Sequence, residues 1–321
     1  MELKEGDLLA FLFPGQGTQR PGMGQALCHH HPRAREVFDR ADDVLGFDLR
    51  EICFRGPAER LTRTEHAQPA VFTTSAAWLD VLAAEGVVPD LVAGHSVGEL
   101  TALHASGCMA FEDALRAVHR RAELMASTSQ PGTMAAVLGL DVTAVEGLCE
   151  RASDDGPVVV AVHNGPAHVV VSGAVAAVQS CGRLAQEAGA VRIIPLAVSH
   201  AFHSPLMGEI VESWEGFVAT LPLRAPSCPV VLNVSGQLTT DLEAVRAAMI
   251  AQVTGTVRWT ACIEAIRSAG AESAVEVGDS KALTSFNRSI DRSFPTHSLA
   301  APGALHQVSA AARSRDGADA V

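Results

Sequence analysis

A serine flanked by glycines is the pattern in this chain that most directly indicates chemistry. The segment reads Gly94-His95-Ser96-Val97-Gly98-Glu99. The apolar run ending in Leu91-Val92 predicts a buried strand before it, and Glu99 to His104 predicts a helix after it. Gly-x-Ser-x-Gly at a strand-to-helix junction is typical of a nucleophile elbow, in which a tight turn exposes the serine hydroxyl. Ser96 is therefore the candidate nucleophile, and a plain glycine-serine loop is the alternative.

A serine nucleophile needs a base, and thirteen histidines are available. His203 stands out because it follows the predicted return of the chain to the main sheet, and loops gather at the carboxyl edge of such a sheet. An esterase triad places an acid between serine and histidine in chain order. The acids there, such as Asp141, Asp154 and Glu187, fall in a separate segment. A Ser96–His203 dyad, with the imidazole held by a neutral carbonyl, fits better than a triad.

Arg121 is predicted to point into the protein. The spacing from Glu112 to Ser127 predicts a helix, and Arg121 lies beside Val118 and Met125 on its apolar face. A buried arginine requires an anion. The alternative is a side chain whose stem is covered while its head reaches the surface.

Composition limits the function classes. The chain has 321 residues, of which 48% are hydrophobic, and a net charge of −12, which argues against nonspecific binding to nucleic acid or an acidic membrane. Seven cysteines without a Cys-x-x-Cys pattern indicate neither a disulfide framework nor a zinc site. The acidic N-terminal residues do not match a signal peptide, and no apolar run reaches the ~18 residues of a membrane span. We expect a cytoplasmic monomer with no metal and no bound cofactor.

An insertion interrupts the main domain. The order of predicted elements from Gly132 to Val198 is β-α-β-β-α-β, a ferredoxin-like pattern. We therefore predict a large α/β subdomain from 1–131 and 199–299, a small subdomain from 132–198 and a frayed tail from 300–321. Within the large subdomain, the patterns predict a strand at Leu8 to Phe13 and a helix from Pro69 to Ala84, among other elements.

Several motifs follow one another along the chain. They are Phe13-Pro14-Gly15-Gln16-Gly17-Thr18-Gln19, Ala67-Gln68-Pro69-Ala70, the segment from Gly94 to Glu99, Arg121, Asn164-Gly165-Pro166, His200-Ala201-Phe202-His203 and Val257-Arg258-Trp259. In this order, from about Leu8 to Leu299, they resemble the malonyl-CoA:acyl-carrier-protein transacylases and the acyltransferases of polyketide synthases. The resemblance implies an α/β-hydrolase-like core with a parallel sheet, a ferredoxin-like insert and an active site between the two.

The resemblance also implies roles in catalysis. Ser96 is the implied nucleophile and His203 its base. The backbone carbonyl of Gln252 is implied to orient His203, and the N–H groups of Gln16 and Val97 to form the oxyanion hole.

Substrate-binding roles follow in the same way. Arg121 is implied to bind the carboxylate of the acyl group, and Phe202 to favour malonyl over methylmalonyl. Asn164 and His168 are expected at the pocket wall. His168 stands where the family commonly has glutamine, and this difference could alter the pocket wall. Asp279 stands where the family usually has proline, and this difference should change only a loop.

The implied reaction moves a malonyl group from malonyl-CoA, through an acyl-serine, to the phosphopantetheine thiol of an acyl carrier protein. Arg288 and Arg292 are expected to meet this acidic partner. The free-standing length and the His-Ala-Phe-His motif favour a discrete, trans-acting enzyme of polyketide biosynthesis. The alternatives are a malonyl transacylase of fatty-acid synthesis, a hydrolase that clears acyl carrier proteins, and an inactive docking module.

Overall fold

The computed structural model describes residues 6–198 and 200–315. Its strands are β1 (Leu8–Phe13), β2 (Leu91–Gly94), β3 (Gly132–Leu138), β4 (Val158–Gly165), β5 (His168–Ala174), β6 (Arg192–Pro195), β7 (Val230–Val231), β8 (Leu238–Thr239), β9 (Ala271–Glu276) and β10 (Thr296–Ser298). Its helices are α1 (Gln25–His30), α2 (Pro32–Leu45), α3 (Leu49–Arg55), α4 (Ala58–Thr62), α5 (Thr64–Ala84), α6 (Gly98–Ala105), α7 (Phe111–Ala126), α8 (Val142–Ala152), α9 (Val175–Glu187), α10 (Val211–Thr220), α11 (Leu242–Ala251), α12 (Trp259–Ser268), α13 (Ala282–Ile290) and α14 (Ala304–Arg315). Within these ranges, no helix has the length and apolar character needed to cross a membrane.

The larger sheet positions the serine motif. Its strand order is β10-β9-β1-β2-β7-β8, and every neighbouring pair is parallel except β7 and β8. The residues of β1 after Leu8 are all buried, as expected for a parallel strand covered on both faces. Because β1 and β2 run in the same direction, the loop after β1 and the turn after β2 meet at one edge of the sheet. This edge carries Gln16 and Ser96.

The smaller sheet confirms the predicted β-α-β-β-α-β order. Its strands lie in the order β4-β5-β3-β6 and all pairs are antiparallel. Helices α8 and α9 pack on it around a separate apolar core that includes Val137, Val169 and Val171. The sheet spans Gly132 to Pro195, inside the segment predicted for the small subdomain. The predicted return of the chain begins at Ser199, which lies outside the described residues.

The structure corrects two predicted elements. Helix α5 begins at Thr64, five residues before the predicted start at Pro69, because this proline is accommodated within the helix. The tail predicted to be frayed instead forms α14, in which Val308, Ala311 and Ala312 are buried. Its many small residues carry little periodic signal, yet they let the helix pack closely on the core. The remainder of that predicted tail, 316–321, lies outside the described residues.

Candidate active site

The turn between β2 and α6 has the geometry of a nucleophile elbow. Ser96 has a φ of 53°, a left-handed conformation that is strained for a residue with a side chain. A Cβ atom on Gly94 would lie 1.8 Å from the Gly98 carbonyl oxygen, and one on Gly98 would lie 2.2 Å from that of Phe13. Both positions therefore require glycine, because the backbone segments approach too closely for any side chain.

His203 completes a dyad with this serine. Its Nε2 lies 2.7 Å from Ser96 Oγ, and its Nδ1 lies 2.9 Å from the carbonyl oxygen of Gln252 and 3.1 Å from that of Gly255. Gln252 follows the last residue of α11, where helix carbonyls lack helical partners. Because carbonyls only accept, Nδ1 carries the proton and Nε2 is free to accept one from the serine. The contact with the Gln252 carbonyl is the one the sequence analysis expected.

His203 is poised as a neutral base. Burial, and secondarily the positive charge of Arg121, lowers the pKa of His203 to about 3. The backbone of His203 is also left-handed, with a φ of 57°, and Ser96 is the other non-glycine residue with positive φ in the described chain. Strained residues of this kind cluster at active sites because the surrounding structure holds them in place.

The backbone N–H groups of Gln16 and Val97 have no hydrogen-bond partner in the part of the chain that the structure describes. Gln16 lies in the loop after β1, and Val97 is the residue before α6, where helix N–H groups lack helical acceptors. Among the hydrogen bonds of the described residues, none takes up either N–H. The Gln16 side chain is held separately, since its Oε1 accepts from Thr64 Oγ1 at 2.8 Å. Both N–H groups therefore remain candidates for the oxyanion hole, and of the two residues Gln16 lines the cavity beside Ser96.

Arg121 is buried beside the nucleophile, as its helical position predicted. Only 2% of this residue is exposed, and it extends from α7. Its Nη1 donates to Gln68 Oε1 at 2.7 Å, and its Nη2 donates to Gln252 Oε1 at 3.0 Å and lies 3.4 Å from Ser96 Oγ. Its Nε has no partner, and within the described residues no carboxylate lies within 4.0 Å.

This arginine keeps its charge. Burial lowers the pKa of Arg121 only to about 10, and the negative charge of Glu99 acts in the opposite direction. Nearby amide oxygens solvate the guanidinium without neutralising it. A buried cation with one unpaired N–H is a candidate binding site for a carboxylate, which Arg can bind with two parallel hydrogen bonds.

A cavity of about 550 Å³ connects these groups and lies between the two sheets. Its wall includes Phe202, Asn164 and His168. Asn164 Oδ1 lies 2.8 Å from His95 Nε2, and the His168 ring contacts the edge of Phe286 with centroids 5.1 Å apart. The predicted substrate-binding residues therefore share one cavity with the dyad.

The predicted docking arginines lie outside this cavity. Arg288 is on α13 and Arg292 follows it, and both are exposed. The same helix contributes Leu283 and Phe286 to the cavity wall. Asp279 precedes this helix, and its carboxylate accepts from the backbone N–H of Gly24 at 2.7 Å. The aspartate thus joins two loops and contacts none of the dyad.

Three buried residues around the site had no role in the sequence analysis. Gln68 holds Arg121 through its Oε1, and Asn233 accepts from the Ser96 backbone N–H. Glu99, the last residue of the serine motif, is 1% exposed, and burial raises its pKa to about 7. Asn233 could have been identified as a candidate site residue from the sequence, because it comes just after a short apolar run and so lies at the carboxyl edge of the sheet.

Comparison with known proteins identifies the family. Residues 10–288 match the acyl transferase domain. The chain is 37% identical over 297 residues to a malonyl CoA-acyl carrier protein transacylase of Bacillus subtilis, covering 92% of this chain and 94% of that protein. The similarly named protein of Escherichia coli K12 is 37% identical over 300 residues, covering 92% and 97%.

Solved structures agree with these relatives. The malonyl-CoA:acyl carrier protein transacylase (FabD) of Xanthomonas oryzae pv. oryzae superposes with a TM-score of 0.92 at 36% identity, covering 96% of this chain and 99% of that one. A malonyl-transacylase solved with a type II PKS acyl-carrier protein gives 0.91 at 33% identity, covering 94% and 98%. The mixed α/β fold with its two sheets is thus confirmed, and the chain belongs to the acyl transferase domain family.

Proposed function

We propose that this protein transfers a malonyl group from malonyl-CoA to the phosphopantetheine thiol of an acyl carrier protein, through an ester on Ser96. The observation that carries the proposal is Arg121, a buried cation that has no carboxylate partner among the described residues and whose Nη2 lies 3.4 Å from Ser96 Oγ. A malonyl ester on Ser96 would bring its free carboxylate close to this guanidinium. An acetyl group has no such carboxylate.

The first half-reaction acylates the serine. His203 Nε2 takes the Ser96 hydroxyl proton as Oγ attacks the thioester carbonyl carbon. The developing oxyanion is bound by the N–H groups of Gln16 and Val97, and one donor of this kind is worth about 3 to 4 kcal/mol. The C–S bond then breaks, and CoA leaves as a thiol with the proton from His203.

The second half-reaction reverses these steps with a different thiol. His203 takes the proton of the phosphopantetheine thiol as its sulfur attacks the Ser96 ester. The tetrahedral intermediate uses the same oxyanion hole. The C–Oγ bond breaks, and Ser96 recovers its proton from His203. The enzyme therefore follows ping-pong kinetics, and it uses no cofactor of its own because the carrier protein supplies the phosphopantetheine.

The pocket wall favours an unsubstituted malonyl group. Phe202 is 8% exposed, lines the cavity and precedes the base His203. A methyl group at C2 of the acyl chain would compete with this ring for space. Asn164 and His168 form the opposite part of the wall, on the small sheet.

Arg288 and Arg292 are proposed to meet the acidic carrier protein. Both are exposed beside a helix that lines the cavity, so a carrier docked there could insert its arm toward Ser96. Attraction between unlike charges at such a surface mainly raises the association rate. We expect the enzyme to act as a monomer in the cytoplasm.

The relatives bear on the pathway. Those at 37% identity are named malonyl CoA-acyl carrier protein transacylases, which favours the fatty-acid alternative over the polyketide role expected from sequence. A transacylase solved with a type II PKS carrier protein keeps the polyketide role as a second candidate. A hydrolase that clears carrier proteins has no need for Arg121, and the intact dyad argues against an inactive docking module.

The test is acylation of the isolated protein. After incubation with malonyl-CoA, intact-protein mass spectrometry should show one added malonyl group, which should leave when a phosphopantetheine-loaded carrier protein is added. Ser96→Ala should remain unlabelled because it lacks the hydroxyl. A malonyl adduct on this variant, or none on the wild-type protein, would contradict the proposal. Loss of the adduct as free malonate without a carrier would instead support a hydrolase.

A further inference from the structure

Asn233 lies beneath the nucleophile turn and touches it at two points. It is fully buried and follows β7 by two residues. Its side-chain Oδ1 accepts from the backbone N–H of Ser96 at 2.8 Å, and its Nδ2 donates to the carbonyl oxygen of Gly94 at 2.7 Å. The carboxamide therefore bridges the end of β2 and the strained serine.

The backbone of Asn233 is held from two further directions. Its N–H donates to the buried carboxylate of Glu99 on α6, and its carbonyl oxygen accepts from the N–H of Arg258 at 2.9 Å. Gln252 Nε2, which lies 3.4 Å from Asn233 Oδ1, donates to the Ser96 carbonyl oxygen at 3.0 Å. The position of Asn233 is thus fixed by its backbone hydrogen bonds. Both the N–H and the C=O group of Ser96 are hydrogen-bonded to side chains.

The turn needs such a support. A left-handed residue other than glycine is strained and persists only where the surroundings hold it. Gly94 and Gly98 make room for the turn, but they have no side chains with which to hold Ser96. The Asn233 amide also occupies the Ser96 N–H, so that a substrate oxyanion must use the next N–H along the chain, that of Val97.

We propose that Asn233 is a positioning residue for acyl transfer, which holds Ser96 in its strained conformation and aims Oγ at His203. The inference rests on the proposed function only for the identity of the enzyme's natural substrate. Any electrophile that an activated serine attacks reports on the same geometry. A carboxamide of this length offers an acceptor to the Ser96 N–H and a donor to the Gly94 carbonyl at once.

Two substitutions separate these contacts. Asn233→Leu is close in size and removes both hydrogen bonds. Asn233→Asp keeps an acceptor for the Ser96 N–H, and it offers a donor to the Gly94 carbonyl only while the buried carboxyl is protonated. Asn287→Leu is the matched control, because Asn287 is also fully buried and its amide also makes two side-chain bonds, to Trp259 Nε1 at 3.0 Å and Thr296 Oγ1 at 3.1 Å.

The readouts are the rate of serine labelling by a fluorophosphonate probe, kcat and KM for malonyl-CoA, and the thermal unfolding midpoint. Because Asn233→Leu loses two hydrogen bonds to buried groups, we expect the probe to label its Ser96 roughly 10- to 100-fold more slowly than in wild type. Its kcat should fall by a similar factor, and its KM for malonyl-CoA should change less than about threefold. Asn233→Asp should fall between this variant and wild type. Asn287→Leu should lower the unfolding midpoint comparably while its labelling rate stays within about threefold of wild type.

Equal labelling rates for Asn233→Leu and Asn287→Leu would overturn the inference, since a purely structural role affects both alike. If Asn233→Leu does not fold, Asn233→Ala, which also lacks both hydrogen bonds, decides: slower labelling supports the inference, and a wild-type rate overturns it. The proposed function fails differently, because a wild-type protein that reacts with the probe but not with malonyl-CoA would contradict malonyl transfer while leaving the comparison of Asn233 variants intact.

Discussion

Replacing Arg121 with alanine should convert the enzyme from one that discriminates by the acyl carboxylate into one that does not. In the structure Arg121 is 2% exposed, its guanidinium is solvated by the neutral amide oxygens of Gln68 and Gln252, and its Nε has no partner among the described residues. The negative charge of Glu99 acts on this cation, but within the described residues no carboxylate lies within 4.0 Å of it, so a ligand carboxylate can still pair with it directly. Malonyl-CoA supplies that anion and acetyl-CoA does not.

The magnitude follows from the loss of one partner of a desolvated charge pair, which costs about 2 to 5 kcal/mol. At about 1.4 kcal/mol per factor of ten, kcat/KM for malonyl-CoA should fall by roughly 30-fold to several thousand-fold. The acetyl-CoA value should change less than about tenfold, because the contact between Arg121 Nη2 and Ser96 Oγ is long, at 3.4 Å.

The assay compares Ser96 acylation by malonyl-CoA and acetyl-CoA, each with wild type, Arg121→Ala and Arg121→Lys. The lysine variant keeps a positive charge but lacks the planar fork, so it should lie between the other two for malonyl-CoA. Equal losses with both substrates would show that Arg121 only supports the structure, and the carboxylate argument would then be wrong.

Three further predictions concern selectivity, docking and the base. Wild type should prefer malonyl-CoA over methylmalonyl-CoA by roughly 10- to 200-fold, the range that a single methyl group can produce. Phe202→Ser should reduce this preference. Equal acylation of the wild-type protein by both substrates would refute the selectivity. Arg288→Glu combined with Arg292→Glu should raise KM for the carrier protein and leave self-acylation by malonyl-CoA unchanged, whereas unaltered carrier kinetics would remove these residues from the docking surface. Because the pKa of His203 is lowered to about 3, kcat/KM for acylation should stay nearly flat from pH 8 to pH 5. A base with the ordinary pKa of about 6.5 would instead lose more than about tenfold between pH 7 and pH 5.

The sequence alone predicted those features of the protein that depend on local backbone geometry. The elbow could be located because Gly94 and Gly98 occur at a strand-to-helix junction, and the small sheet could be outlined because its strands and helices have distinct periodicities. Arg121 could be assigned to an inner face because helical spacing aligns it with apolar neighbours. These inferences use residues a few positions apart, whose relative geometry the secondary structure itself determines.

The site as a whole depends on contacts that no local pattern reports. Ser96 and His203 are 107 residues apart, and their assignment as a pair came from chain order and family resemblance rather than from spacing. Asn233 is 137 residues from Ser96, and its role follows from the adjacency of β2 and β7 in the sheet. Helix α14 likewise forms against the core although its alanine-rich sequence has little periodicity. In each case the deciding free energy comes from packing between segments that are distant in the sequence. Burial also sets the pKa of His203. Both the packing and the burial depend on the tertiary structure, so neither could be derived from the sequence.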